Sequence, residues 1–66
     1  MNVSVNNQST DLPSDSTVVN LLDRLELNSQ RVAVEVNREL VPRENHADHQ
    51  LQDGDQVEIV TLVGGG

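Results

Sequence analysis

The chain has 66 residues, and its eleven acids against four arginines and no lysine give a net charge of −7; such a surface repels phosphodiester backbones and excludes nucleic acid as a partner. Cysteine is absent, which removes disulfide staples, thiolate metal ligands and any side-chain persulfide or thioester chemistry. Phe, Tyr and Trp are absent as well, so a core must come from Val, Leu and Ile in a single domain that buries only about 60% of the surface its unfolded chain exposes.

Met1, Val3 and Val5 alternate with Asn2, Ser4 and Asn6, the period-2 pattern of a half-buried strand. Asn6-Asn7 supplies a tight turn, because asparagine tolerates left-handed backbone angles, and a second short strand runs from Ser9 to Leu12. Pro13-Ser14-Asp15-Ser16-Thr17 breaks that strand and offers several oxygens as helix N-caps. Val18, Leu21, Leu22 and Leu25 then recur at i, i+3, i+4 and i+7, predicting one amphipathic helix of about three turns. Asn20, Asp23, Arg24 and Glu26 are read as its solvated face, and Leu27-Asn28-Ser29 as its exit.

A third strand is predicted over residues 31–36, with Val32, Val34 and Val36 on one face. After a turn at Asn37-Arg38-Glu39, Leu40-Val41 forms a brief strand limited by Pro42, which lacks the N–H a ladder needs. Residues 43–52 suit a polar loop with a helical turn, anchored by Leu51. Asp53-Gly54-Asp55 launches the last strand, Gln56 to Leu62. This order predicts an α+β domain over residues 1–63, one helix packed on one face of a small mixed sheet, with the first and last strands parallel at its centre. Residues 64–66 are expected to form a flexible C-terminal tail.

Side-chain catalysis finds no support. His46 and His49 are three apart, but no third ligand has a telling spacing, and both are expected as surface histidines without metal. Asp53-Gly54-Asp55 lacks the further ligands of a calcium loop, and no glycine-rich phosphate loop joins a strand to a helix. No apolar run reaches the ~20 residues of a membrane span, and Met1-Asn2-Val3-Ser4 has no signal-peptide character, so the cytoplasm is expected and a membrane is not.

The chemistry then falls to the C-terminal end. Val57 and Ile59 on the helix-facing side leave Val60 and Leu62 on the other, as an exposed apolar strip for docking a partner unless a cross-strand neighbour such as Leu40 covers them. Gly64-Gly65-Gly66 follows. Read alone, a triple glycine is more often an inert terminus than a working part. Yet glycine lacks a Cβ and threads where other residues clash, and without cysteine the Gly66 carboxylate is the one place for this chain to carry sulfur or acyl groups.

Val32-Ala33-Val34-Glu35-Val36-Asn37-Arg38-Glu39, Val41-Pro42-Arg43, Leu51-Gln52-Asp53-Gly54-Asp55-Gln56-Val57-Glu58-Ile59-Val60 and the terminal glycines resemble the sulfur carrier family of thiamine biosynthesis, ThiS. The order of elements agrees along the whole chain, including Thr17-Val18 and Leu21-Leu22 at the helix start. The resemblance implies the ubiquitin-like β-grasp fold. Family members often have glycine after the asparagine of both hairpins, where this chain has Asn7 and Arg38; a looser or different turn is therefore expected at Arg38.

The resemblance also implies a carrier cycle without catalytic side chains. An adenylyltransferase similar to ubiquitin-activating enzymes would use ATP and Mg to adenylate Gly66, this chain itself binding no cofactor. A sulfur donor system such as a cysteine desulfurase would convert the adenylate to a thiocarboxylate, and thiazole synthase would accept the sulfur. Gly64 and Gly65 would thread into the partner sites. A carrier for molybdopterin or another thio-modification shares the same terminal chemistry, and a ubiquitin-like protein modifier is a further alternative.

Overall fold

The computed structural model describes residues 1–62. Five strands and one helix follow in the order β1 (Asn2–Val5), β2 (Gln8–Asp11), α1 (Val18–Arg24), β3 (Val32–Val36), β4 (Glu39–Val41) and β5 (Gln56–Thr61), with 3-10 turns at Ser29–Arg31 and Arg43–Asn45. The strands lie in the order β2-β1-β5-β3-β4. β5 is thus central, parallel to β1 and antiparallel to β3. This is the predicted α+β arrangement of one mixed sheet and one helix.

Strand alternation places one face of the sheet against the helix. Val3, Val5, Val32, Val34, Val36, Val41, Val57 and Ile59 are buried there beneath Val18, Leu21 and Leu22 of α1, with Leu12 and Leu51 joining the same cluster. Each such side chain contributes about 1.5–3 kcal/mol when fully withdrawn from water.

The helix begins at a capping box. Thr17 Oγ1 accepts from the Asn20 amide, and Asn20 Oδ1 accepts in return from the Thr17 amide. The two amides between them are taken by the loop that follows β4: Val18 N–H donates to His49 O and Val19 N–H to His46 O, both at 3.0 Å. The donors that a helix start leaves unpaired are therefore all satisfied, and in being satisfied they bind the loop to the helix.

The helix is shorter than predicted. It spans 7 residues, about two turns, because Glu26 adopts φ 60. Leu27 N–H then bonds back to Leu22 O at 2.8 Å and Glu26 N–H to Asp23 O at 3.0 Å, the paired bonds of a Schellman stop. Leu25 consequently falls at the cap and is exposed, while Leu27 packs against the core. The stop stands on a glutamate where glycine is usual, directly before the exit predicted at Leu27-Asn28-Ser29.

Both hairpins close through two-residue turns with positive φ throughout: Asn6 at 49 and Asn7 at 68 between Val5 and Gln8, Asn37 at 52 and Arg38 at 72 between Val36 and Glu39. The looser turn expected at Arg38 does not occur. Asn37 holds it tight, its amide donating to Gln56 O at 2.7 Å and its side chain bonding both the Gln56 amide and the Asp55 carboxylate at 3.0 Å. Asp55, buried in its turn, also accepts from the Gln52 amide.

His46 is a second correction. It is 2% exposed, not a surface residue, and ranks among the largest fully buried side chains. Its Nε2 lies 3.1 Å from Val41 O; a carbonyl only accepts, so Nε2 is the donor. Nδ1 has no hydrogen-bond partner.

Candidate docking face along the last strand

β5 sits mid-sheet with one face on the core and the other open. On the open face Val60 is 59% exposed, Leu62 47% and Leu40 64%. The register explains why Leu40 does not cover the strip. Leu40 stands opposite Glu35, and Glu35 opposite Glu58, so these three form one row across the sheet. Val60 lies in the next row, opposite the small side chain of Ala33. Leu62 continues the alternation past the strand end, its amide donating to Arg31 O at 2.7 Å. The face thus presents Val60 and Leu62 side by side, with two carboxylates in the row of Leu40, and among the described residues neither Glu35 nor Glu58 forms a salt bridge.

Two asparagines that sequence reasoning treated only as turn formers reach β5 from opposite sides. Asn37 ties its start at Gln56. Asn6 donates its backbone N–H to Val57 O at 2.9 Å, while its side chain accepts from Ile59 N–H at 2.8 Å and donates to Ile59 O at 3.1 Å. The only available signal was position: each is the first residue of a two-residue hairpin turn, with a side chain long enough to stand in for one peptide group.

The structure leaves His46 and His49 in different settings, the first buried with Nε2 engaged and the second partly exposed. Among the described residues no group of three or more His, Asp or Glu side chains assembles as a metal site, and no helix is long and apolar enough to cross a membrane. Gly64, Gly65 and Gly66, expected as the working tail, lie outside the described residues, as does Val63 at the expected domain boundary.

A five-stranded mixed sheet in the order β2-β1-β5-β3-β4, with the last strand central and one helix packed on one face, defines a ubiquitin-like β-grasp domain. The chain belongs to the ThiS family, whose pattern it matches over residues 2–66. The sulfur carrier protein ThiS of Escherichia coli is 35% identical over the full length of both chains. A thiazole synthase of Paramagnetospirillum magneticum is 39% identical over the whole of this chain, which spans only 20% of that protein's length. The crystal structure of a thiamine biosynthesis protein, ThiS, from Geobacter metallireducens superposes with a TM-score of 0.85 at 33% identity and complete coverage of both chains.

Proposed function

We propose that this chain is a carrier of sulfur for thiazole formation in thiamine biosynthesis, working as a protein cosubstrate through the Gly66 carboxylate. The observation that carries the reading is the end-to-end similarity to a sulfur carrier protein of the same extent, in a chain with no cysteine and a triple-glycine end.

The chemistry follows from what a carboxylate can do. Ionised at neutral pH, it is a poor electrophile but a competent nucleophile toward the α-phosphate of ATP, from which pyrophosphate departs. A partner adenylyltransferase supplies the nucleotide site and the Mg ion. The acyl-adenylate is then open to attack at carbon. The outer sulfur of a cysteine-derived persulfide forms the new carbon–sulfur bond as AMP leaves, and a thiol cleaves the remaining sulfur–sulfur bond to free a thiocarboxylate, itself passing into a disulfide. Thiazole synthase accepts that sulfur. Val60 and Leu62 dock the carrier on its partners, and Gly64 and Gly65 give the clearance that a Cβ would deny in a narrow active site. These reactions run in the cytoplasm, where ATP is available.

Intact mass tests the reading. The chain is incubated with ATP, a persulfide donor and the adenylyltransferase of its own organism. A gain equal to the exchange of one oxygen for one sulfur is expected, and it vanishes when Gly66 is deleted. An unchanged mass with a demonstrably active enzyme rejects a carrier role. Labelled sulfur that reaches molybdopterin or tRNA but not thiazole redirects the assignment to another thio-product.

A further inference from the structure

We propose that Asn6 is a positioning residue for the carrier end, its side-chain amide standing in for a strand residue beside Ile59 and fixing the last stretch of β5. This inference rests on the sulfur-carrier reading above and adds the element that holds the docking strip in place.

β1 pairs with β5 in register only at Ser4 with Gln56 and Val5 with Val57. The chain then leaves the sheet at the Asn6-Asn7 turn. β5 continues for four residues beyond that register, to Thr61, and its side toward β1 would be unpaired from Ile59 onward. Asn6 prevents this at one point. Held at φ 49 by the turn, it directs Oδ1 to Ile59 N–H at 2.8 Å and Nδ2 to Ile59 O at 3.1 Å, across 53 residues of sequence. One side-chain amide thereby makes both bonds that a neighbouring strand would have made.

The position matters because of what lies next to it. Val60, the first residue of the exposed strip, directly follows Ile59. By the alternation of the antiparallel ladder with β3, Thr61 turns its own N–H and C=O to the same side as Ile59, one step past the clamp. Among the described residues, β5 is therefore held on both sides as far as Ile59 and on the β3 side alone after it. Without the clamp, Val60 and Leu62 are carried on a strand end held from one side, and a partner must order that end on binding, which weakens encounter without altering the chemistry at Gly66.

The test separates the side chain from the turn. Asn6→Gly retains the left-handed conformation at no steric cost and removes only the amide. Val18→Ala, on the core-facing side of α1, serves as a control of comparable destabilisation, with both variants assayed where they remain folded. In Asn6→Gly the Ile59 amide is expected to exchange about tenfold faster, while the Gln56 amide, held by Asn37, is unchanged. In adenylation by the organism's own adenylyltransferase, KM for the carrier rises about fivefold or more with kcat preserved, and Val18→Ala shows neither effect. If Asn6→Gly does not fold, Asn6→Asp makes the same comparison with a smaller rise, since it keeps the acceptor for Ile59 N–H and loses the donor to Ile59 O. Unchanged Ile59 exchange, or a KM rise no greater than that of Val18→Ala, overturns the role of Asn6 while an active wild type leaves the carrier reading standing. A wild-type chain that takes no adenylate overturns both.

Discussion

Glu35 on β3 and Glu58 on β5 stand directly opposite one another on the open face of the sheet. Like charges at a directly opposed pair are destabilising, by about 0.2–1 kcal/mol, and no cation among the described residues bridges them. Glu58→Lys converts the repulsion into an attraction across the same pair. It is expected to raise the urea midpoint at low ionic strength, and the gain shrinks in molar salt as screening removes it. Equal midpoints for both proteins at low salt would show that solvent already screens the pair.

Leu62 is the more direct probe of the open face. Being 47% exposed and just outside the last strand, it can be changed to glutamate with a stability cost within about 0.5 kcal/mol. If the strip docks a partner, Leu62→Glu buries a charge in that interface and lowers affinity by about tenfold or more. Sedimentation or titration calorimetry with the adenylyltransferase gives the answer. Wild-type affinity in a folded variant rejects the strip as a dock.

Arg38 and Glu26 are non-glycine residues at φ 72 and φ 60, a conformation that costs an L-residue with a long side chain roughly 1–2 kcal/mol. Arg38→Gly and Glu26→Gly relieve it without touching a core contact. Each is expected to stabilise by about 0.5–1 kcal/mol after the entropy of the added glycine is set against the relief. Because the two turns lie on different elements, the double variant should show nearly the sum, read from paired denaturation curves.

These two residues also mark where sequence reading reached its limit. Strands were legible because their cause is local: Val3 with Val5, Val32 with Val34 and Val36, and Val57 with Ile59 each state a period of two within a few residues. The helix start was legible for the same reason, Thr17 preceding the apolar spacing. The exit at Leu27-Asn28-Ser29 was legible too, but not the stop at Glu26, since Leu25-Glu26-Leu27 carries no glycine and the stop depends on bonds that form once Leu27 finds the core. Asn6 and Asn37 were recognisable as turn residues, but their bonds to Ile59 and Gln56 cross 53 and 19 residues and depend on topology. The open face lay between these cases. Exposure of Val60 and Leu62 followed from alternation, whereas the failure of Leu40 to cover them needed the register.

His46 gives the last prediction. It lies in a polar stretch, between Asn45 and Ala47, yet its ring fills space in a core without aromatic residues and its Nε2–H holds Val41 O. Its backbone carbonyl meanwhile accepts from Val19 at the helix start, so β4, the loop and α1 converge on one residue. His46→Ala removes both volume and donor, and a loss of about 2–4 kcal/mol is expected. His46→Leu refills the space but leaves Val41 O without its side-chain donor, costing about 1–2 kcal/mol. The difference between the two variants isolates the packing contribution, and urea denaturation measures both. Should His46→Ala prove as stable as the wild type, the loop would be held by its backbone bonds to the helix start and by Leu51 in the core, with the buried ring contributing nothing.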